Sequence, residues 1–117
     1  MAADVSIIVP VYNMEHFLTE TLDSIEAAIA PSLAVEVIVM DDGSTDGSFA
    51  LAQDYAARHE RIRVFTQPNA GPSVARNRAI AEATGRYIFP LDSDDLLGRD
   101  FLEQAVRILD ERPKVKV

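Results

Sequence analysis

The sequence has 117 residues, 48% of them hydrophobic and 26% charged, with a net charge of −8 at pH 7. This is an ordinary soluble composition at the size of one domain, so disorder is not expected, and the acidic balance is the opposite of what a general nucleic-acid binder carries, so no nucleic-acid partner is expected. The absence of cysteine removes disulfides, thiolate zinc sites and a cysteine nucleophile; two histidines, His16 and His59, leave little room for a His-rich metal site.

The first apolar run, Val5 to Val11, follows Met1-Ala2-Ala3-Asp4. It has no basic residues before it and is too short for a secretory signal core. No stretch approaches the roughly 20 apolar residues of a membrane span. The expectation is a soluble, cytoplasmic chain, with any membrane segment carried by a longer parent protein.

Four β-type runs alternate with four helical patterns. The runs are Val5 to Val9 (VSIIV), Val35 to Met40 (VEVIVM), Ile62 to Phe65 (IRVF) and Tyr87 to Phe89 (YIF). Near-continuous apolar character suits strands buried on both faces of a parallel sheet. A first helix is predicted over Glu15 to Ile29, with Leu18, Leu22, Ile25 and Ile29 on one stripe and Pro31 beyond its end. A second spans Ser48 to Arg58, with Leu51, Ala52, Tyr55 and Ala56 facing inward. A third runs from Ser73 to Thr84, with Gly85 as its C-cap. A fourth covers Asp100 to Arg112. The β-α-β-α-β-α-β-α order implies right-handed crossovers and an α/β doubly wound, mostly parallel sheet with helices on both faces. Lys114 to Val117 (KVKV) reads as the start of a fifth strand, and the whole as one domain forming the N-terminal part of something longer.

In open parallel sheets ligands bind beyond the carboxyl ends of the strands. The segments that follow the four runs are Pro10-Val11-Tyr12-Asn13, Asp41-Asp42-Gly43-Ser44-Thr45-Asp46, Gln67-Pro68-Asn69-Ala70-Gly71-Pro72 and Leu91-Asp92-Ser93-Asp94-Asp95. Six of the nineteen acids fall in two of these turns. Carboxylates brought to one edge raise one another's pKa unless a cation joins them. A hard divalent ion such as Mg²⁺ or Mn²⁺, completing its shell with substrate phosphates, is the chemistry such a cluster suits. The plainer alternative is that Asp41 to Asp46 caps the second helix and Asp92 to Asp95 forms a polar turn.

On the third helix, at 100° per residue, Arg76 lies in the middle of the arc made by Ala75, Ala79, Ala83 and Ile80. An inward arginine there requires an anion, either a neighbouring aspartate or a phosphate. Arg78 falls on the opposite side, four residues before Glu82, as an exposed ion pair would. Tyr12 is placed either to stack on a flat base or to lie as a half-buried lid on the core, and His16 and His59 read as surface residues near helix ends.

VSIIVPVYN (5–13), VIVMDDGSTDGS (37–48), Asn69-x-Gly71 with Ala75-Arg76-Asn77, and GRYIFPLDSDD (85–95) together resemble family 2 glycosyltransferases, inverting enzymes of the GT-A fold. The resemblance covers nearly the whole chain in register. It implies that Pro10, Tyr12 and Asn13 border the nucleotide base. It implies that Asp42 accepts a base N–H, as an acid reading uracil does, and that Asp41 supports the turn. Asp92-Ser93-Asp94 would be the DXD motif, with Asp94 coordinating Mg²⁺ or Mn²⁺ and Asp92 near the metal and the donor ribose. Arg76 and Asn77 fall in the family's ARN segment, and Asp95 begins the next turn. The implied partners are a nucleoside-diphosphate sugar, UDP-sugar favoured, and a glycan, lipid or protein acceptor. The general base would lie beyond residue 117, so these residues alone are expected to bind donor weakly and transfer little.

Other readings fit less well. A haloacid-dehalogenase-type hydrolase needs its nucleophilic Asp after the first strand, where this chain has Pro-Val-Tyr-Asn. A receiver domain needs an acid pair there and a lone Asp after the third strand, and a sugar nucleotidylyltransferase needs a Gly-rich basic loop between Val9 and Glu15. The alternative from another class is a non-catalytic nucleotide-binding module.

Overall fold

The computed structural model describes residues 3–29, 33–91 and 107. Within them the order is β1 (Val5–Val11), α1 (Leu18–Ala28), β2 (Val35–Asp41), α2 (Ser48–Ala57), β3 (Ile62–Thr66), α3 (Pro72–Ala81) and β4 (Tyr87–Pro90). Of the fourth helix predicted from sequence only Arg107 is described, and it is helical; the fifth strand, Pro31 and the Asp92 to Asp95 turn lie outside the described residues.

The four strands form one parallel sheet in the order β3-β2-β1-β4. β1 is thus central, and strand order reverses between β1 and β4. Alternation along the strands divides the core in two. Val5, Ile7, Val9 and Val11 of β1 and Val35, Val37 and Val39 of β2 pack under Leu18, Leu22 and Ile25 of α1 and Ala52 and Tyr55 of α2. Ile8, Ile38 and Met40 point the other way, onto Ala75 and Ala79 of α3. Both strands are therefore apolar on both faces, which is why their sequence runs are continuous rather than alternating. The small side chains of Ala75 and Ala79, both fully buried, let α3 lie close on the sheet. This is the doubly wound α/β arrangement the sequence predicts.

The element boundaries differ for identifiable reasons. α1 starts at Leu18, not Glu15, because Glu15 is engaged elsewhere: its backbone N–H donates to Asp46 and its carboxylate accepts from the Gly47 N–H at the start of α2. α3 begins with Pro72, whose missing N–H is harmless at a first helical position, and ends at Ala81 with Glu82 as its cap. Gly85 is therefore not a helix cap. It lies against β1, where an added Cβ would sit 2.5 Å from the Ser6 backbone nitrogen, and its N–H donates to Ser6 Oγ. Among the described residues no helix is long and apolar enough to cross a membrane.

Candidate functional site

Because all four strands run the same way, their carboxyl ends share one edge of the sheet. The 10–13, 41–46 and 67–72 segments meet there, and Leu91, the residue before Asp92, is held there by its N–H bond to the Ile8 carbonyl (2.8 Å).

Asp42 organises one wall. Its side chain is 3% exposed. Oδ1 accepts from Gln67 Nε2 and the Ala70 N–H, both at 2.8 Å; Oδ2 accepts from the Gly71 N–H at 3.0 Å and from Asn69 Nδ2 at 3.3 Å. Burial alone would push this carboxyl's pKa up, but the bonds from Gln67, Ala70 and Gly71 outweigh it and hold the group below the usual aspartate value. Asn69 Nδ2 also donates to the Asp42 carbonyl at 3.0 Å, so its bond to Oδ2 is the replaceable one of the four. Gly43 lets the two turns close on each other. Its φ is +70°, and a Cβ there would meet the Asn69 backbone nitrogen at 2.7 Å.

Asp41, also buried, uses Oδ2 for Thr66 Oγ1 (2.9 Å) and the Ser44 N–H (3.3 Å), while its buried Oδ1 has no partner. Of this turn's acids only Asp46 serves α2: its Oδ1 accepts the Ser48 N–H at 2.9 Å. Burial opposes the charge on Asp46, but bonds from Ser48 and Glu15 prevail and lower its pKa. The capping alternative thus holds for Asp46 and fails for Asp41 and Asp42.

Asn13 ties the β1 loop to the β2 loop. It sits at φ 51°, an unusual backbone that asparagine tolerates. Its Oδ1 accepts from the Thr45 N–H at 2.8 Å and the Asp46 N–H at 3.3 Å, and its own N–H donates to Ser44 Oγ. Tyr12 beside it is 47% exposed. Pro10 lies within β1, opposite Met40.

Arg76 points inward as the helical wheel requires. Its Nε is buried and has no hydrogen-bond partner, and it forms no ion pair with an acid among the described residues. The neighbouring-aspartate alternative is thus absent there. Arg78 does not pair with Glu82: it donates to Gln67 Oε1 at 3.3 Å, and Glu82 pairs with Arg63 instead. Gln67 and Asn69, to which the sequence assigned no role of their own, are the principal finding at this edge. The available signal was an amide-bearing turn directly after a β-type run. Asp92, Ser93 and Asp94 lie outside the described residues. Among the described residues no three His, Cys, Asp or Glu side chains are arranged to hold a metal ion.

A parallel sheet with a strand-order reversal, acids gathered at its carboxyl edge and an arginine whose buried Nε has no partner among the described residues define an α/β domain of the doubly wound type. Comparison with known proteins gives the family. The glycosyl transferase family 2 model matches residues 6–117, and the chain belongs to that family. An uncharacterized glycosyltransferase of Bacillus subtilis, EpsJ, is 48% identical over 92 residues, covering 78% of this chain and 26% of EpsJ. The crystal structure of Staphylococcus aureus TarS 1–349 in complex with UDP-GlcNAc superposes with a TM-score of 0.84 at 35% identity, over 95% of this chain and 32% of that one. The mannosyltransferase PcManGT of Pyrobaculum calidifontis, solved with GDP-Man and Mn²⁺, gives 0.83 at 33% identity, over 93% of this chain and 33% of that one. This chain spans 14% of the length of one matched curated relative and 42% of another.

Proposed function

We propose that residues 1–117 form the donor-binding domain of a glycosyltransferase, taking a nucleoside-diphosphate sugar, with UDP-sugar favoured, and passing the sugar with inversion to a hydroxyl of a glycan, lipid or protein acceptor. The observation that carries this is two buried groups at the carboxyl edge, Asp41 Oδ1 and Arg76 Nε, that have no partner among the described residues. Unsatisfied buried polar atoms are costly in a native protein, and here they are one acceptor and one donor at an edge where ligands of such sheets bind. The complexes of TarS with UDP-GlcNAc and of PcManGT with GDP-Man support the ligand class.

In this reading Tyr12 stacks on the base, and Pro10 and Asn13 border it. Asp42, ionised and rigidly held, accepts a base N–H in place of the long Asn69 bond. Arg76 donates to the anionic diphosphate, Asp41 supports the turn, and Asp92 and Ser93 approach the ribose. Asp92 and Asp94 would hold Mg²⁺ or Mn²⁺, whose chemistry when bound is to offset charge on the leaving diphosphate. The acceptor hydroxyl gives its proton to a base and its oxygen bonds to the anomeric carbon. The bond from that carbon to the β-phosphate oxygen breaks, and its electron pair leaves on the nucleoside diphosphate.

The test is calorimetric titration of UDP in Mn²⁺ and in EDTA, on the native sequence and on Asp94→Ala. Binding that requires the metal and is lost in the variant is the expected result. Equal binding in EDTA would refute the metal assignment, and no binding by folded protein would refute the donor site.

A further inference from the structure

Proline is confined to edge strands and bulges because it cannot donate to a ladder. Pro10 breaks that rule, since it is the sixth residue of β1, the central strand next to both β2 and β4. The hydrogen-bonding direction resolves the conflict. On β1 the even-numbered residues serve β4: the Asp4 carbonyl accepts the Tyr87 N–H at 3.1 Å and the Ile8 carbonyl accepts the Leu91 N–H at 2.8 Å. The odd-numbered residues serve β2, as the Val11 carbonyl does in accepting the Asp42 N–H at 2.8 Å. The next even position is residue 10. Its N–H would donate to the Leu91 carbonyl in the regular parallel pattern, and proline has none. The register of β1 with β4 reaches Ile8↔Pro90, where β4 ends, while β1 stays paired with β2 as far as Val11↔Asp41.

The missing rung thus falls between β1 and β4 at the carboxyl edge, where strand order reverses. A crevice at that reversal is where open α/β sheets take their ligands. We infer that Pro10 is a positioning residue whose missing N–H keeps β1 and β4 from zipping shut at the reversal, so that the crevice stays open for the nucleoside diphosphate. The inference rests on the donor-site reading above and adds to it the device that holds the cleft open. It also accounts for proline at a place where a β-branched residue would otherwise fit the strand better. The rule that the sequence breaks locally is broken at the site, as expected where function competes with regular structure.

The experiment uses Pro10→Ala and Pro10→Val in the full chain, with three readouts: exchange of the new residue 10 amide by NMR, UDP affinity by calorimetry with Mn²⁺, and the thermal midpoint. The expected result is a residue 10 amide protected from exchange and UDP binding about fivefold weaker, the worth of one net backbone hydrogen bond that the ligand must now displace. The midpoint should stay near that of the native sequence, because the added bond offsets the lost rigidity of proline in the unfolded chain. An unprotected amide, or a protected amide with unchanged affinity, would overturn the inference. So would midpoint and affinity falling together, or failure of both variants to fold, since either makes residue 10 a demand of the core. If the native chain itself binds no nucleotide, the donor reading fails, and amide exchange at residue 10 still decides whether proline withholds the rung.

Discussion

The two ends of β2 carry carboxylates in opposite conditions, half-buried at one end and buried at the other. At the amino end Glu36 is fully used. It accepts from Ser6 Oγ of β1 and from the backbone N–H and Oγ1 of Thr84, and Arg63 of β3 pairs with it at 3.3 Å. One side chain thereby joins three strands and the segment entering β4. At the carboxyl end Asp42 is equally occupied, but Asp41 Oδ1 and Arg76 Nε are not. The amino end has one such atom too, Glu26 Oε2, buried without a hydrogen bond, but Arg61 Nε pairs with it at 3.5 Å. Asp41 Oδ1 and Arg76 Nε have no such charge partner among the described residues, and in the donor-site reading proposed above they are the groups a ligand would satisfy.

Cutting Asp42 should give the largest effect. Asp42→Ala strands Gln67 Nε2 and the N–H groups of Ala70 and Gly71 with no acceptor. It should cost about 3 kcal/mol or more in urea unfolding and abolish UDP binding, because the 67–71 wall is released. A loss under about 1 kcal/mol would mean that the wall stands without it. Glu36→Ala should cost about 2 kcal/mol by orphaning fully buried Ser6 and the Thr84 N–H, yet leave UDP affinity of the folded fraction unchanged. A fall in affinity would show that the two ends are coupled. Arg76→Met keeps the packed stem and removes the unpaired donor. Stability should hold or rise slightly while UDP binding weakens about tenfold or more, roughly one charge-assisted hydrogen bond. Parallel losses in both would return Arg76 to the fold.

Acid is the mildest probe, since it cuts no side chain. Burial works against the charge on both Glu36 and Asp42, yet their hydrogen bonds hold both pKa values below the usual carboxylate range. A lowered folded pKa means that the unfolded chain takes up the proton first. The stability these groups contribute is therefore complete above the unfolded carboxylate pKa and is lost as pH falls through the folded one. Unfolding free energy should be flat near neutrality and decline below about pH 5. The decline should flatten in Glu36→Ala, from which one of the two groups is gone.

Much of the fold was legible because β1 and β2 are buried on both faces, which leaves nearly continuous apolar runs such as Val5 to Val9, and because the α1 and α2 stripes match the face they bury. What failed was decided by distant partners. Glu15 is a sound helix residue by propensity, but α2 claims it. Gly85 resembles a helix stop, but its reason is the backbone of Ser6. The acid pair after β2 stood out as charge at a strand's carboxyl end, and Arg76 as a charge in an apolar arc, which requires a partner. The division of labour was not visible: Asp42 meets Gln67 and Asn69 only because β2 and β3 run side by side in parallel. Pro10 was read for its position before Tyr12, whereas its missing N–H acquires meaning only once β4 is known to lie beside it.

The place of β1 in the sheet also bears on how the chain is made. β1 is synthesised first, and its neighbour on one side, β2, follows soon after. Its neighbour on the other side is β4, and the ribosome adds 45 residues between Asp41 and Tyr87. At cellular elongation rates that takes about 2 to 9 s. For that interval VSIIV has one bare edge, unbranched by charge and rich in β-formers, the kind of edge that pairs with another chain. The nascent chain is thus most open to aggregation just before its central strand acquires its last neighbour.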